Sequence, residues 1–192
     1  MRVFIALEPG EEFLKNLLRE LIPLKEKYPQ FRWVPKEMLH VTLIFLGELN
    51  EELLPMVKEA AEGALGSGDI IAMGNKLFTI PPRREANVLA LNFSKGGEAI
   101  AHLSEKIKKN LELRGIQPGG TDRKNFLPHI TVARKGREPL RLLNEDLTIS
   151  VQGVFSSLAV CKSELLPQGA RYTALASYPL TRVAAFKNKT LS

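Results

Sequence analysis

Cysteine is almost missing from this chain. The one copy, Cys161, in 192 residues rules out an internal disulfide and any cysteine-rich metal site. Histidine is scarce too, with three copies, so a repeated histidine pattern carries information. No apolar run approaches the roughly 20 residues of a membrane helix. Met1-Arg2-Val3-Phe4 leads directly into a strand-like stretch, not a signal-peptide pattern, and a soluble protein of a reducing cytoplasm is expected. Acidic residues are outnumbered, 21 against 27 basic ones, leaving a net charge of +6. That excess favours an anionic partner without naming one.

The basic residues are spread along the chain. Lys106, Lys108 and Lys109 fall on an expected helix and read as a solvated face. The Arg134-Lys135-Gly136-Arg137 cluster carries more weight, because it follows a motif strand directly. It points to phosphate binding near that strand, whereas nothing points to long nucleic acid.

The chain is organised around His40-Val41-Thr42-Leu43 and its echo His129-Ile130-Thr131-Val132. Each copy is His-x-Thr-aliphatic within an apolar, β-branched run, the local signature of a strand. Strand side chains alternate, so residues two apart share a face, about 7 Å apart along the strand. Each copy thus presents an imidazole and a hydroxyl together and turns an aliphatic pair the other way. A lone strand histidine is usually structural. Two matched copies supply one group to take a proton and one to give it.

Arg2 to Glu8 alternates as an opening strand, and Pro9-Gly10-Glu11-Glu12 starts a helix with a stripe of Phe13, Leu14, Leu17, Leu18 and Leu21. Pro23 and Pro29 are expected to break that helix up. Short strands are expected at Phe31 to Val34 and Leu39 to Leu46, then a helix over Glu51 to Leu65. Strands come next at Ile70 to Ile80 and Asn87 to Phe93, joined by a Pro81-Pro82-Arg83-Arg84 loop. Glu98 to Arg114 is a helix lined by Ile100, Leu103, Ile107 and Leu111 and capped by Gly115. His102 lies beside its stripe and is assigned no chemistry. Gly119 to Arg123 reads as a mobile loop, Leu140 to Leu143 as a short helical piece, and Leu147 to Leu166 as a strand or strand pair. A last strand runs from Arg171 to Leu180, and Lys187 to Ser192 is a frayed tail.

Strand, helix, strand, strand, helix recurs twice, with one motif per half, as after an ancient duplication. The expected fold is α+β: two pseudo-symmetric lobes facing each other across a central cleft. Each lobe is a mainly antiparallel sheet with helices outside. One such domain spans residues 1–182, with 183–192 as tail.

With both motifs placed, the chain resembles the two-histidine phosphoesterases, and within them the RNA 2′,3′-cyclic phosphodiesterases, also called LigT-like 2′-5′ RNA ligases. The likeness runs from Arg2 to Leu180 through Arg2-Val3-Phe4-Ile5-Ala6-Leu7, Phe31-Arg32-Trp33-Val34-Pro35, Phe45-Leu46-Gly47-Glu48 and Pro128 to Arg134. It ends on Lys162-Ser163-Glu164-Leu165 with Gly169 and Tyr172. Two positions depart from the family. Ile44 stands where a Lys is common, on the His40 and Thr42 face by alternation, and Ala90 stands where a Trp is common.

The resemblance implies hydrolysis of a ribose 2′,3′-cyclic phosphate to a 2′-phosphomonoester, with His40 as general acid and His129 as general base. Nothing in the residues fixes that direction. Thr42 and Thr131 are expected to donate hydrogen bonds to the non-bridging oxygens. Reversal would give 2′-5′ ligation, and no metal or other cofactor is required. Arg134, Lys162 and Ser163 are candidate phosphate contacts; Phe45 and Tyr172 can stack on a base. Strict alternation puts Arg134 on the face opposite His129, so it acts from the strand end or is structural. The implied partner is an RNA end or nucleotide bearing a cyclic phosphate, bound by a monomer away from membranes. Two other readings stay open: an RNA-binding module without turnover, and a phosphodiesterase for a small cyclic phosphate or a 2′-5′ oligonucleotide.

Overall fold

The computed structural model describes residues 1–66, 68–82, 85–119, 126–137, 139–140, 147–166 and 169–180. They form strands β1 (Arg2–Pro9), β2 (Arg32–Trp33), β3 (Val41–Glu48), β4 (Ile70–Ile80), β5 (Val88–Lys95), β6 (His129–Arg134), β7 (Thr148–Leu166) and β8 (Gly169–Pro179). The helices are α1 (Glu11–Lys27), α2 (Leu54–Glu62) and α3 (Gly97–Glu112). The class is α+β and sheet-rich, and every strand pairing is antiparallel.

The ladders make two arms. In one, β3 pairs β1, β1 pairs the second part of β7, and β7 pairs β8. In the other, β6 pairs β5, β5 pairs β4, and β4 pairs the first part of β7. Of the strand or strand pair expected over Leu147 to Leu166, the structure has the single strand, the 19-residue β7, and it serves both arms. Its Phe155 lies opposite both Pro9 of β1 and Ile70 of β4. At the other junction β3 and β6 meet through one pair, Val41 and Ile130.

The helices cover one face of this network. Phe13, Leu17 and Leu21 of α1 are fully buried or nearly so, with Phe13 5.1 Å from Phe155 of β7. Complete burial of each such side chain contributes about 1.5–3 kcal/mol. Ile100, Ile107 and Leu111 of α3 are buried as their spacing requires, while His102 is exposed. Val3, Ile5 and Leu7 of β1 point into this core, and Phe4 and Ala6 point to the opposite face, where they pack with Ala159 and Cys161.

Several expectations need correction. Helix α1 runs through Pro23 to Lys27. Pro23 is exposed, so the carbonyl it leaves without a helical donor lies on the solvent side, where water can bind it. The second helix is shorter than Glu51 to Leu65: Glu51–Leu53 is a tighter 3-10 turn, and α2 begins at Leu54 with Pro55 in its first turn. Leu140 is not helical but makes an isolated bridge with Ala86. Arg83 and Arg84, residues 120–125, 141–146 and the tail from 181 lie outside the described residues.

Candidate active site

His40 and His129 stand at the starts of β3 and β6, and Thr42 and Thr131 lie two residues on. Val41 pairs Ile130 in antiparallel sense, so the two motifs meet about a local two-fold through that pair. His40 lies on the Thr131 side and His129 on the Thr42 side. Val41 and Ile130 are fully buried. The polar residues on either side of them open together into a cleft of about 860 Å³.

Both imidazoles are held alike. His40 Nδ1 lies 2.7 Å from the Met38 carbonyl oxygen, and His129 Nδ1 lies 2.8 Å from that of Leu127. A carbonyl only accepts, so Nδ1–H is the donor in each, and in the neutral ring Nε2 is the unprotonated nitrogen, whose lone pair serves proton transfer. His40 Nε2 is 3.0 Å from the Thr42 hydroxyl oxygen. Burial holds the His40 pKa below its ordinary 6.5, and repulsion from Arg134 and His129 adds to this against the Met38 hydrogen bond. Phe4 packs against the His40 ring at 5.2 Å, and Tyr172 meets it edge-on at 5.4 Å. Phe78 meets His129 edge-on at 6.2 Å.

Both motif strands then break alternation in the same way. In β3, Ala6 faces Thr42 and Ile5 faces Ile44, leaving Leu43 as an extra residue. In β6, Ala90 faces Thr131 and Leu89 faces Ala133, leaving Val132 extra. These are β-bulges, and each swaps the faces of the residues beyond it. The bulge carbonyls find partners elsewhere: buried Ser104 of α3 donates to Leu43 O at 2.8 Å, and Val34 N–H donates to Val132 O at 2.9 Å.

The bulges correct two expectations. Ile44 does not share the His40 face; it is 7% exposed in the core, so a Lys there would not reach the cleft in this backbone. Arg134 is not on the far side of β6 but lines the cleft, as Phe45 does at the matching place in β3. Each half therefore delivers a His, a Thr and, past its bulge, a third side chain. Ala90 is fully buried directly opposite Thr131, on the same face of the sheet.

Ser163 and Tyr172, cross-strand partners on β7 and β8, also line the cleft. Lys162 does not: its neighbour Ser163 takes the cleft face, and its ammonium lies 3.2 Å from Glu164, which also holds Arg171. Two arginines went unnoticed in the sequence. Arg2 lines the cleft and sets its guanidinium carbon 5.5 Å from the centre of the Phe45 ring. Arg32 lines the opposite wall beside Trp33. The signal for Arg2 was present, since it alternates with Phe4 and Ala6 against Val3, Ile5 and Leu7. Among the described residues the lining contains three arginines and no carboxylate. No three His, Cys, Asp or Glu side chains there are grouped to hold a metal ion. Nor is any helix there long and apolar enough to cross a membrane.

An arginine-lined cleft with two carbonyl-anchored imidazoles suits phosphoester chemistry, and the comparisons bear on the family. Residues 7–68 match the family described as LigT like Phosphoesterase. An RNA 2′,3′-cyclic phosphodiesterase of Thermus thermophilus is 30% identical over 199 residues, covering 94% of this chain and 90% of its own. One of Aquifex aeolicus is 26% identical over 155 residues, covering 78% and 81%. A crystal structure of a Thermus thermophilus protein superposes with a TM-score of 0.78 at 27% identity, covering 94% of this chain and 98% of that one. Escherichia coli LigT in its apo form shares the fold, with a TM-score of 0.71 at 20% identity over 94% of this chain and 98% of its own. The chain belongs to the LigT-like phosphoesterases of the two-histidine superfamily.

Proposed function

We propose that this enzyme hydrolyses RNA 2′,3′-cyclic phosphate ends to 2′-phosphomonoesters, without a metal, through paired general acid–base catalysis. The observation that carries the reading is the local two-fold at Val41 and Ile130, which sets two imidazoles, each anchored through Nδ1, beside two hydroxyls. In-line displacement at phosphorus needs a base on the water side and an acid on the leaving-oxygen side. Two equivalent groups related by a two-fold meet that demand. The relatives named for this reaction supply the substrate class.

In this reading the arms of the sheet are the two pseudo-symmetric lobes of one domain, and the cyclic phosphate sits between them. His129 removes a proton from water, whose oxygen bonds to phosphorus as the 3′ P–O bond breaks, and His40 protonates the leaving 3′ oxygen. Thr42 and Thr131 donate to the non-bridging oxygens as their charge grows. Arg134 adds a fixed positive charge. An arriving phosphate anion favours the charged form of His40 against the burial and the Arg134 and His129 repulsion that disfavour it. Phe45, backed by Arg2, and Tyr172 offer ring surfaces to a base. With a 5′-hydroxyl in place of water as the nucleophile, the same pair would join a 2′ phosphate to a 5′ end as the 3′ oxygen leaves.

The burial that lowers the proton affinity of His40 favours a second assignment within the same chemistry, with His40 as base and His129 as acid. The deciding experiment for the overall reading incubates the protein with a short RNA ending in 2′,3′-cyclic phosphate, with EDTA present. A 2′-phosphate product supports it. A 3′-phosphate product reverses which oxygen leaves, and salt-sensitive binding without product would make the protein an RNA-binding module.

A further inference from the structure

Arg32 of β2 and Arg134 of β6 lie directly opposite each other in an antiparallel ladder. Residues so paired project from one face with Cβ atoms about 5 Å apart, and like charges placed this way repel. Both side chains line the cleft. Among the described residues neither arginine has a carboxylate in ion-pair contact. Two unneutralised guanidiniums held side by side make a seat for an anion.

The reacting phosphate does not account for both. The ladder places Arg32 level with Arg134, at the end of β6 away from His129 and four residues beyond the Val41–Ile130 pair that flanks the histidines. Arg32 therefore extends the positive wall outward from the histidines. Its neighbour Trp33 pairs with buried Ala133 and packs against the core, fixing β2 through an indole N–H donated to the Tyr28 carbonyl at 3.1 Å. A positively charged groove that follows the backbone is how single-stranded nucleic acid is held without sequence readout.

We propose that Arg32, together with Arg134, forms a second phosphate subsite that takes the phosphodiester one linkage upstream of the cyclic end. The favoured substrate is then an oligoribonucleotide terminus and not a cyclic mononucleotide. A 2′,3′-cyclic phosphate closes the 3′ end of a strand, so the only further phosphates lie upstream. This rests on the phosphodiesterase reading above and adds the length of substrate that the cleft recognises.

The test compares three substrates: 2′,3′-cyclic AMP, an ApA dinucleotide ending in a 2′,3′-cyclic phosphate, and that dinucleotide with an uncharged methylphosphonate linkage. The wild type should favour the charged over the uncharged dinucleotide by about tenfold in kcat/KM, the scale of one charge-assisted hydrogen bond. Arg32→Gln should erase that preference, its loss falling on the charged dinucleotide and sparing the ratio between the uncharged dinucleotide and 2′,3′-cyclic AMP. Equal rates on the two dinucleotides with wild type, a comparison that needs no variant to fold, would overturn the subsite. So would an Arg32→Gln loss of the same size on all three substrates. Failure of wild type to turn over any of them would instead overturn the phosphodiesterase reading, and the subsite with it.

Discussion

Val41 and Ile130 face each other across the single point where β3 and β6 touch, and neither exposes any surface. The catalytic candidates are the polar flanks of this apolar pair. Its burial sets which way the histidines turn, so the chemistry of the cleft is fixed from the core side.

Replacing either His40 or His129 with Gln should lower kcat by about 10²–10⁴, the usual contribution of positioned proton transfer, with an unchanged circular dichroism spectrum. Sulfur in place of the 3′ leaving oxygen needs no proton to depart. On such a substrate the His40→Gln enzyme should recover and the His129→Gln enzyme should not. Recovery of His129→Gln alone would hand the acid role to His129.

Thr42→Val and Thr131→Val keep side-chain shape and remove the hydroxyl. Each should reduce kcat on the order of 10², as when a donor to developing negative charge is lost, and change KM less. A pure KM effect would make these hydroxyls ground-state contacts only.

The His40 imidazole should titrate below 6.5 in an NMR pH series, since burial first, then Arg134 and His129, disfavour its charged form. Arg134→Gln removes one repulsion and should move the midpoint up; a fall or no change would contradict this electrostatic arrangement. The unfolded chain binds this proton more readily than the folded one. His40 therefore removes stability as pH falls from 6.5 toward its folded midpoint, and the loss is complete below it. His40→Gln should flatten that part of the stability curve.

Ser104 is 5% exposed and its hydroxyl is the donor to the Leu43 bulge carbonyl. Ser104→Ala should lower stability by about 1–3 kcal/mol, the penalty for a buried acceptor left without a partner. It should also raise KM by freeing the strand segment that turns Phe45 outward. Unchanged denaturation midpoint and KM would show that the bulge holds without it.

How far the sequence disclosed this site is clearest from Arg134 and Ile44. His40, Thr42, His129 and Thr131 were legible because each pair lies within one stretch of regular alternation. Beyond the threonines each strand carries one extra residue, Leu43 or Val132, of the same aliphatic kind found anywhere in a strand. Nothing in such a residue marks it as a bulge, so period-two counting sent Ile44 into the cleft and Arg134 out of it, the reverse of what the ladders show. The helices were readable from their stripes, and Pro23 misled because its exposed position tolerates the missing bond. Arg32 became visible only through its cross-strand partner, a long-range pairing that local pattern does not encode. Lys162 failed for a simpler reason: a basic residue next to a site residue on a strand faces the other way.

Strand β7 passes from one arm of the sheet to the other at Phe155 without a break. Mechanically it is a strut where many two-part enzymes have a hinge. Its backbone hydrogen bonds run to β1 on one side of Phe155 and to β4 on the other, so the two histidine-bearing arms hang from one shared support.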